Sequence, residues 1–216
     1  MELFQKFLRS SRLVANLYDA RVPDLTAYVL AGGKSTRMGS DKAFLEFGGK
    51  ALLERALHTL RRLTPEVMIV GERTKFAQFG PVVEDVFRRR GPLGAIHAAL
   101  TVSATDLNLM MAVDLPFVES RFLKYLLGRA ESTDALVTAP RSQGRLQPLC
   151  AIYRKSFQPV AERSLLRGEN KIDVLFHEVK TLVIEEEEIV RCRCSPAIFD
   201  NVNTPAEFDR AKGRHL

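Results

Sequence analysis

The run Leu30-Ala31-Gly32-Gly33-Lys34-Ser35-Thr36-Arg37-Met38-Gly39-Ser40-Asp41-Lys42 carries most of the chemistry legible in this chain. Its glycines let backbone N–H groups turn toward an anion, and Lys34, Arg37 and Lys42 add three positive charges. Placed after a buried strand, such a loop reads as phosphate-binding. Two familiar phosphate motifs fail on spacing. A Walker loop ending at Gly33-Lys34-Ser35 needs glycine where Tyr28 stands, and one ending at Gly39 needs lysine where Ser40 stands. The dinucleotide fingerprint fails because Gly32 and Gly33 are adjacent. A plain glycine turn with surface basics explains Gly32 and Gly33 but not Arg37 and Lys42 beside them. Elsewhere, Cys150, Cys192 and Cys194 give neither a disulfide ladder nor paired zinc spacing, and read as structural thiols. No Ser/His/Asp or Cys/His set stands out, and His58, His97, His177 and His215 are expected to be structural or superficial.

The elements that must hold this loop alternate. Strands are expected at 27–31, 67–70, 81–84, 107–113, 135–139, 146–153 and 179–184. Helices are expected at 50–63, 74–79, 93–102, 119–129, from 155, from 171, and at 205–212. This alternation predicts an α/β fold: a Rossmann-like, three-layer domain with a mostly parallel, mixed sheet covered on both faces. The later strands have less helix between them, which predicts a mixed edge. Ligands in such sheets bind beyond the carboxyl ends of the strands, so the loops after Ala31, Val70, Glu84 and Val113 are the candidates. The acidic run 185–188 is expected to be a solvated turn.

Composition sets the outer bounds. The 216 residues suit one domain, and 46% apolar with 27% charged residues is ordinary globular usage. Basic residues exceed acidic ones by 32 − 26 = 6, which favours anionic partners. No apolar run reaches the length of a membrane span. Stacking aromatics are not interleaved with the basic residues, so nucleic acid is not an expected partner. Residues 1–25 read as an amphipathic helical extension, with Leu3, Phe4, Phe7, Leu8, Val14 and Tyr18 on one stripe, and 26–216 as a single domain. The extension lacks the continuous apolar core of a secretory signal and is expected to pack on its own domain or a second subunit. Cysteine usage fits a reducing cytoplasm.

The glycine loop resembles the signature of nucleotidyltransferases that activate sugars, pterins and related phosphates. The segments 43–48, Gly91-Pro92-Leu93-Gly94-Ala95-Ile96, Asp114-Leu115-Pro116, Gln147-Pro148-Leu149-Cys150-Ala151-Ile152-Tyr153 and Asn201-Val202-Asn203-Thr204-Pro205 follow in order. The ordered set resembles the molybdenum cofactor guanylyltransferase family over about residues 27–212. Two departures stand out: the amino-terminal segment lies outside the pattern, and Ala51 occupies a usual proline position. The resemblance implies transfer of GMP from GTP to the terminal phosphate of molybdopterin, forming molybdopterin guanine dinucleotide and releasing pyrophosphate. It also implies Mg²⁺ as cofactor, and molybdenum-enzyme chaperones or other cofactor-biosynthesis proteins as partners.

By the same resemblance, Leu30, Ala31, Gly32 and Gly33 line the nucleotide, while Arg37 and Lys42 hold the triphosphate and stabilise departing pyrophosphate. Asp114 would hold Mg²⁺ among phosphate oxygens and waters. Its competing role is a helix cap before Pro116. Asp85 would accept hydrogen bonds from ribose or guanine, with capping or pairing to Arg88, Arg89 or Arg90 as the alternative. Gly32 is expected to admit the purine by lacking a Cβ and by adopting backbone angles that alanine resists. On the pterin side stand Arg141, Arg145, Lys155 and Asn203, although Asn203 could instead cap the last helix. The rivals are a molybdopterin cytidylyltransferase, whose loop typically has alanine in place of Gly32, another small-molecule nucleotidyltransferase, and an inactive nucleotide-binding module.

Overall fold

A computed structural model describes residues 24–32, 41–87 and 90–202. The expected amino-terminal extension and the expected helix at 205–212 lie outside the described residues. Strand β1 (Leu25–Leu30) and strand β6 (Leu107–Ala112) are buried along their whole length. Such mostly apolar runs, with only Thr26 and Asn108 polar, are what a strand covered on both faces requires, and they set the centre of the sheet. Strand β2 (Glu46–Phe47) and strand β3 (Lys50–Ala51) form a separate small hairpin. The remaining strands are β4 (Val67–Val70), β5 (Val82–Val83), β7 (Val137–Ser142), β8 (Arg145–Leu146), β9 (Cys150–Arg154) and β10 (Thr181–Ile184).

The main sheet runs β10-β7-β9-β6-β1-β4-β5, with β8 paired to β7 off this path. All pairings are parallel except those of β9 with β6 and β7, and of β8 with β7. The sheet is therefore mixed as expected, but the reversed strand β9 is interior rather than at the edge. The reason is local: β7 turns back through the short β8, and the chain re-enters the sheet between β7 and β6.

Side-chain alternation along the strands feeds two cores. Ala27 and Val29 of β1 join Leu109 and Met111 of β6 in one core, beneath helix α1 (Leu52–Arg61) and helix α4 (Ser120–Glu131). Tyr28, Leu30 and Met110 enter the other. That face is covered by helix α3 (Gly91–Val102), helix α5 (Gln158–Leu166) and helix α6 (Ile172–Glu178). Two shorter helices complete the described set: α2 (Arg73–Phe76) and α7 (Glu186–Arg191). No helix among the described residues is long and apolar enough to cross a membrane.

The acidic run is not a solvated turn. Glu186, Glu187 and Glu188 form the first turn of α7, with Glu185 as its N-cap. Glu185 lies 3.1 Å from Arg141 Nε, and Glu188 accepts from the Tyr125 hydroxyl at 2.7 Å and pairs with Arg129. Carboxylates at a helix start interact favourably with its dipole, and these also find arginines on neighbouring elements.

Candidate active site

At the β1/β6 boundary the chain order departs in opposite directions, to β4 on one side and to β9 on the other. Leu30 and Ala112 are register partners there, and Val113 N–H donates to the Leu30 carbonyl at 3.2 Å. Such a switch point opens a crevice beyond the strand ends. The crevice is a cleft of about 170 Å³, walled by Leu30, Ala31 and Gly32 after β1 and by Ala112, Val113 and Asp114 after β6. Pro92 and Ala95 of α3, Asp41, Lys42 and Leu149 close it.

The charged groups come from two directions. Asp41 caps the short 3-10 helix Lys42–Phe44, its Oδ1 accepting the Ala43 N–H at 3.2 Å. Lys42 thereby starts a fixed turn and places its Nζ 3.5 Å from Asp114 Oδ2. These side chains are 30% and 19% exposed, so both still face the solvent side of the cleft. The sequence-expected residues Leu30, Ala31, Gly32, Lys42 and Asp114 thus meet at one place. Gly33, Arg37 and Asn203 lie outside the described residues.

Asp114 fits a cation completed by other ligands. Among the described residues no group of three His, Cys, Asp or Glu could hold a metal by itself. A carboxylate at a cleft wall suits Mg²⁺, which keeps waters and takes substrate phosphates as ligands.

Asp85 stands apart from this lining. Its carboxylate packs on α3 where Gly94 leaves room: a Cβ at Gly94 would come within 2.7 Å of Asp85 Oδ2 and 3.1 Å of the Phe87 carbonyl. Glycine at this point of the Gly-Pro-Leu-Gly segment is therefore a packing requirement. Burial raises Asp85 above the usual carboxylate range, opposed by the Phe87 N–H and by His97. His97 is buried on the same helix, with its Nε2 2.9 Å from Gln158 Nε2. Among the described histidines, none lines the cleft.

Gly32 differs from its expectation. It is not among the glycines with positive φ, and an added Cβ would have ordinary contacts, the nearest 3.7 Å away at the Val70 carbonyl. Neither its backbone angle nor its packing against the described residues demands glycine there.

A second, more polar cleft of about 500 Å³ lies beside the first. Its walls are the β7–β8 hairpin, with Ser142, Gln143 and Arg145, together with Leu146, Gln147 and the 199–201 segment. The hairpin turns at Gln143-Gly144, both with positive φ (52° and 71°), the geometry of a two-residue type I′ turn. Sequence reading missed this hairpin, although a glycine two residues before the next strand was the available signal. Ser142 Oγ donates to the Pro196 carbonyl at 3.1 Å, and the Gln143 N–H donates to Glu186. Val202 N–H donates to the Asp114 carbonyl at 3.1 Å, joining the two clefts through one backbone contact. Arg145 faces this cleft, but Lys155 does not. Its Nζ donates to the Ser103 carbonyl at 2.7 Å and its N–H to Asp106, at the amino end of β6, opposite the site.

The cysteines are structural in character. Burial pushes the Cys150 and Cys194 thiols up to about 12, and Cys192 Sγ donates to the Ile189 carbonyl at 2.9 Å.

A mixed sheet covered by helices on both faces, with a lysine and a carboxylate at its switch point, is a Rossmann-like architecture with a site suited to a phosphorylated ligand. The comparisons narrow the class. Residues 27–182 match the MobA-like NTP transferase domain, and the chain belongs to that family. It is 35% identical over 188 residues to a probable molybdenum cofactor guanylyltransferase of Carboxydothermus hydrogenoformans, covering 87% of this chain and 94% of the relative. A probable molybdenum cofactor guanylyltransferase of Pelotomaculum thermopropionicum is also 35% identical, over 87% of this chain and 91% of its own length. The crystal structure of molybdopterin-guanine dinucleotide biosynthesis protein A from Archaeoglobus fulgidus superposes with TM-score 0.76 at 27% identity, covering 88% of this chain and 98% of that one.

Proposed function

We propose that this enzyme transfers GMP from GTP to the terminal phosphate of molybdopterin, forming molybdopterin guanine dinucleotide and releasing pyrophosphate. The observation that carries the chemistry is the Lys42–Asp114 pair facing the cleft at the sheet's switch point. The curated relatives carry the choice of substrates.

An attacking phosphate monoester is already ionised near neutral pH, so the reaction needs no general base. The barrier is the approach of two anions, and catalysis comes from neutralising and aligning them at the α-phosphorus. Lys42 binds the triphosphate and stabilises negative charge on the departing pyrophosphate. Arg37 shares that task in this proposal. Asp114 would hold Mg²⁺, which supplies charge neutralisation to the phosphates when bound. Leu30, Ala31 and Gly32 present backbone to the nucleotide, while the assignment of Gly33 and Asp85 to the same ligand rests on the family resemblance.

Molybdopterin enters from the second cleft, where Arg145 offers a cation; the assignment of Asn203 to the same substrate rests on the family resemblance. Free buried thiols suit a cytoplasmic enzyme, and handover of the product to molybdenum-enzyme chaperones or other cofactor-biosynthesis proteins belongs to the same proposal.

The test is competition between GTP and CTP with Mg²⁺ and molybdopterin as acceptor, following pyrophosphate and dinucleotide together. Guanine dinucleotide is the expected main product. A preference for CTP overturns the guanylyl assignment.

A further inference from the structure

The nucleotide cleft contains an acid where a polyanion must enter. Asp41 lines it immediately before Lys42, the residue assigned to the triphosphate. An uncompensated carboxylate there would repel the phosphates and compete with them for the lysine. The structure shows where that charge goes. Asp41 Oδ1 accepts the Ala43 N–H at 3.2 Å, while Oδ2 lies 3.4 Å from Lys75 Nζ. Lys75, on α2, also pairs with Glu72 at 2.9 Å. Glu72 and then Asp41 keep the Lys75 ammonium protonated, raising it above the usual lysine range.

Helix α2 holds Lys75 at this distance through packing that does not involve charge. Phe76 is buried with its ring on Gly71, where an added Cβ would lie 2.7 Å from Cε2. Phe44, at the end of the 3-10 helix that Lys42 begins, stacks on Phe76 with ring centroids 5.8 Å apart. The two elements are thus joined by apolar contact as well as by the Lys75–Asp41 pair. Removing the Lys75 charge leaves the aromatic junction in place, which separates an electrostatic role from a structural one.

We propose that Lys75 is a positioning residue for nucleotide binding: it neutralises Asp41 and holds that carboxylate on the α2 side of the cleft, leaving Lys42 to the triphosphate. The proposal rests on the reading of the cleft as a nucleoside triphosphate site. It predicts an effect on ground-state binding rather than on the chemical step, because Lys75 acts through Asp41.

The test is a double-mutant cycle over Lys75→Ala and Asp41→Asn, with steady-state kinetics in GTP at saturating Mg²⁺ and acceptor. Asp41→Asn keeps the side-chain oxygen that accepts the Ala43 N–H and removes the charge. Lys75→Ala is expected to raise KM for GTP about threefold to tenfold, with kcat within about twofold and an unchanged Tm. Lys75→Arg, which keeps the charge, returns KM toward the wild-type value. In the Asp41→Asn background the Lys75→Ala effect on KM disappears. An equal rise in both backgrounds overturns the proposal, because Lys75 would then act independently of Asp41. So does a fall in kcat with KM unmoved. A wild type that prefers CTP removes the base assignment only, and the same cycle in CTP then decides the role of Lys75. A wild type that binds no nucleoside triphosphate overturns both readings.

Discussion

The two clefts are built by different means. The nucleotide cleft is walled by backbone leaving two central parallel strands, and its position follows from sheet hydrogen bonds such as Val113 N–H to Leu30 and Ala31 N–H to Val70. The acceptor cleft is walled by a two-residue hairpin and by the 199–201 segment. Polar contacts tie these parts to their surroundings and to each other: Ser142 to Pro196, Gln143 to Glu186, and Gln143 Nε2 to Asp200 at 3.4 Å. One wall is set by backbone hydrogen bonds of the central sheet, and the other adds to its strand pairing the buried Phe199 and a few side-chain hydrogen bonds, each contributing about 1 kcal/mol. The lesson is that the walls of the first cleft are set by the sheet, while the wall of the second, proposed for the acceptor, includes contacts that single substitutions can alter.

Substitutions should expose that contrast. The largest effect is expected from Lys42→Ala, which removes a cation aimed at developing charge: kcat should fall about 100-fold or more. A change confined to KM for GTP would show that Lys42 only binds the ground state. Asp114→Asn should raise the Mg²⁺ concentration needed for half-maximal turnover by about tenfold or more while leaving the fold intact, read by a metal titration with circular dichroism as control. An unmoved Mg²⁺ titration would take Asp114 out of the metal's coordination.

Gly94→Ala tests packing behind the nucleotide cleft. Its Cβ must displace the Asp85 carboxylate, and the expected loss in a denaturant titration is about 1 kcal/mol, the low end for overpacking because a carboxylate can turn. KM for GTP should rise with it if Asp85 reads the nucleotide. The smallest effect belongs to the acceptor wall: Glu186→Gln weakens the bond to the Gln143 N–H and should raise KM for molybdopterin about twofold to threefold, leaving KM for GTP unchanged. An equal shift in both constants would mean that the two clefts are not independent.

Legibility in the sequence follows the same division. The strands beside the nucleotide cleft were expected within a residue or two, at 27–31 and 107–113 against Leu25–Leu30 and Leu107–Ala112, because burial on both faces leaves a nearly all-apolar run, broken only by Thr26 and Asn108. Lys42 and Asp114 were legible as well, since motif spacing relative to a strand end carries the signal. The interior position of β9 was not, because pairing partners depend on contacts far apart in the chain. Lys155 was misplaced for a related reason. Its neighbours in sequence flank the site, but β9 runs antiparallel to β6 and carries it to the opposite end of the sheet.

The sequence by itself determined the alternating architecture and the family, both of which rest on local periodicity and ordered motifs. Only the tertiary structure decided how the charges are shared. It set Asp41 against Lys75 and gave Gly94 its reason in Asp85, while no described neighbour crowds a side chain at Gly32. It also turned the acidic run at 185–188 into anchors for Arg141, Arg129 and the Gln143 backbone. Electrostatic pairing and steric need act through space over a few ångströms, and a one-dimensional pattern does not record which distant residues will stand at that range.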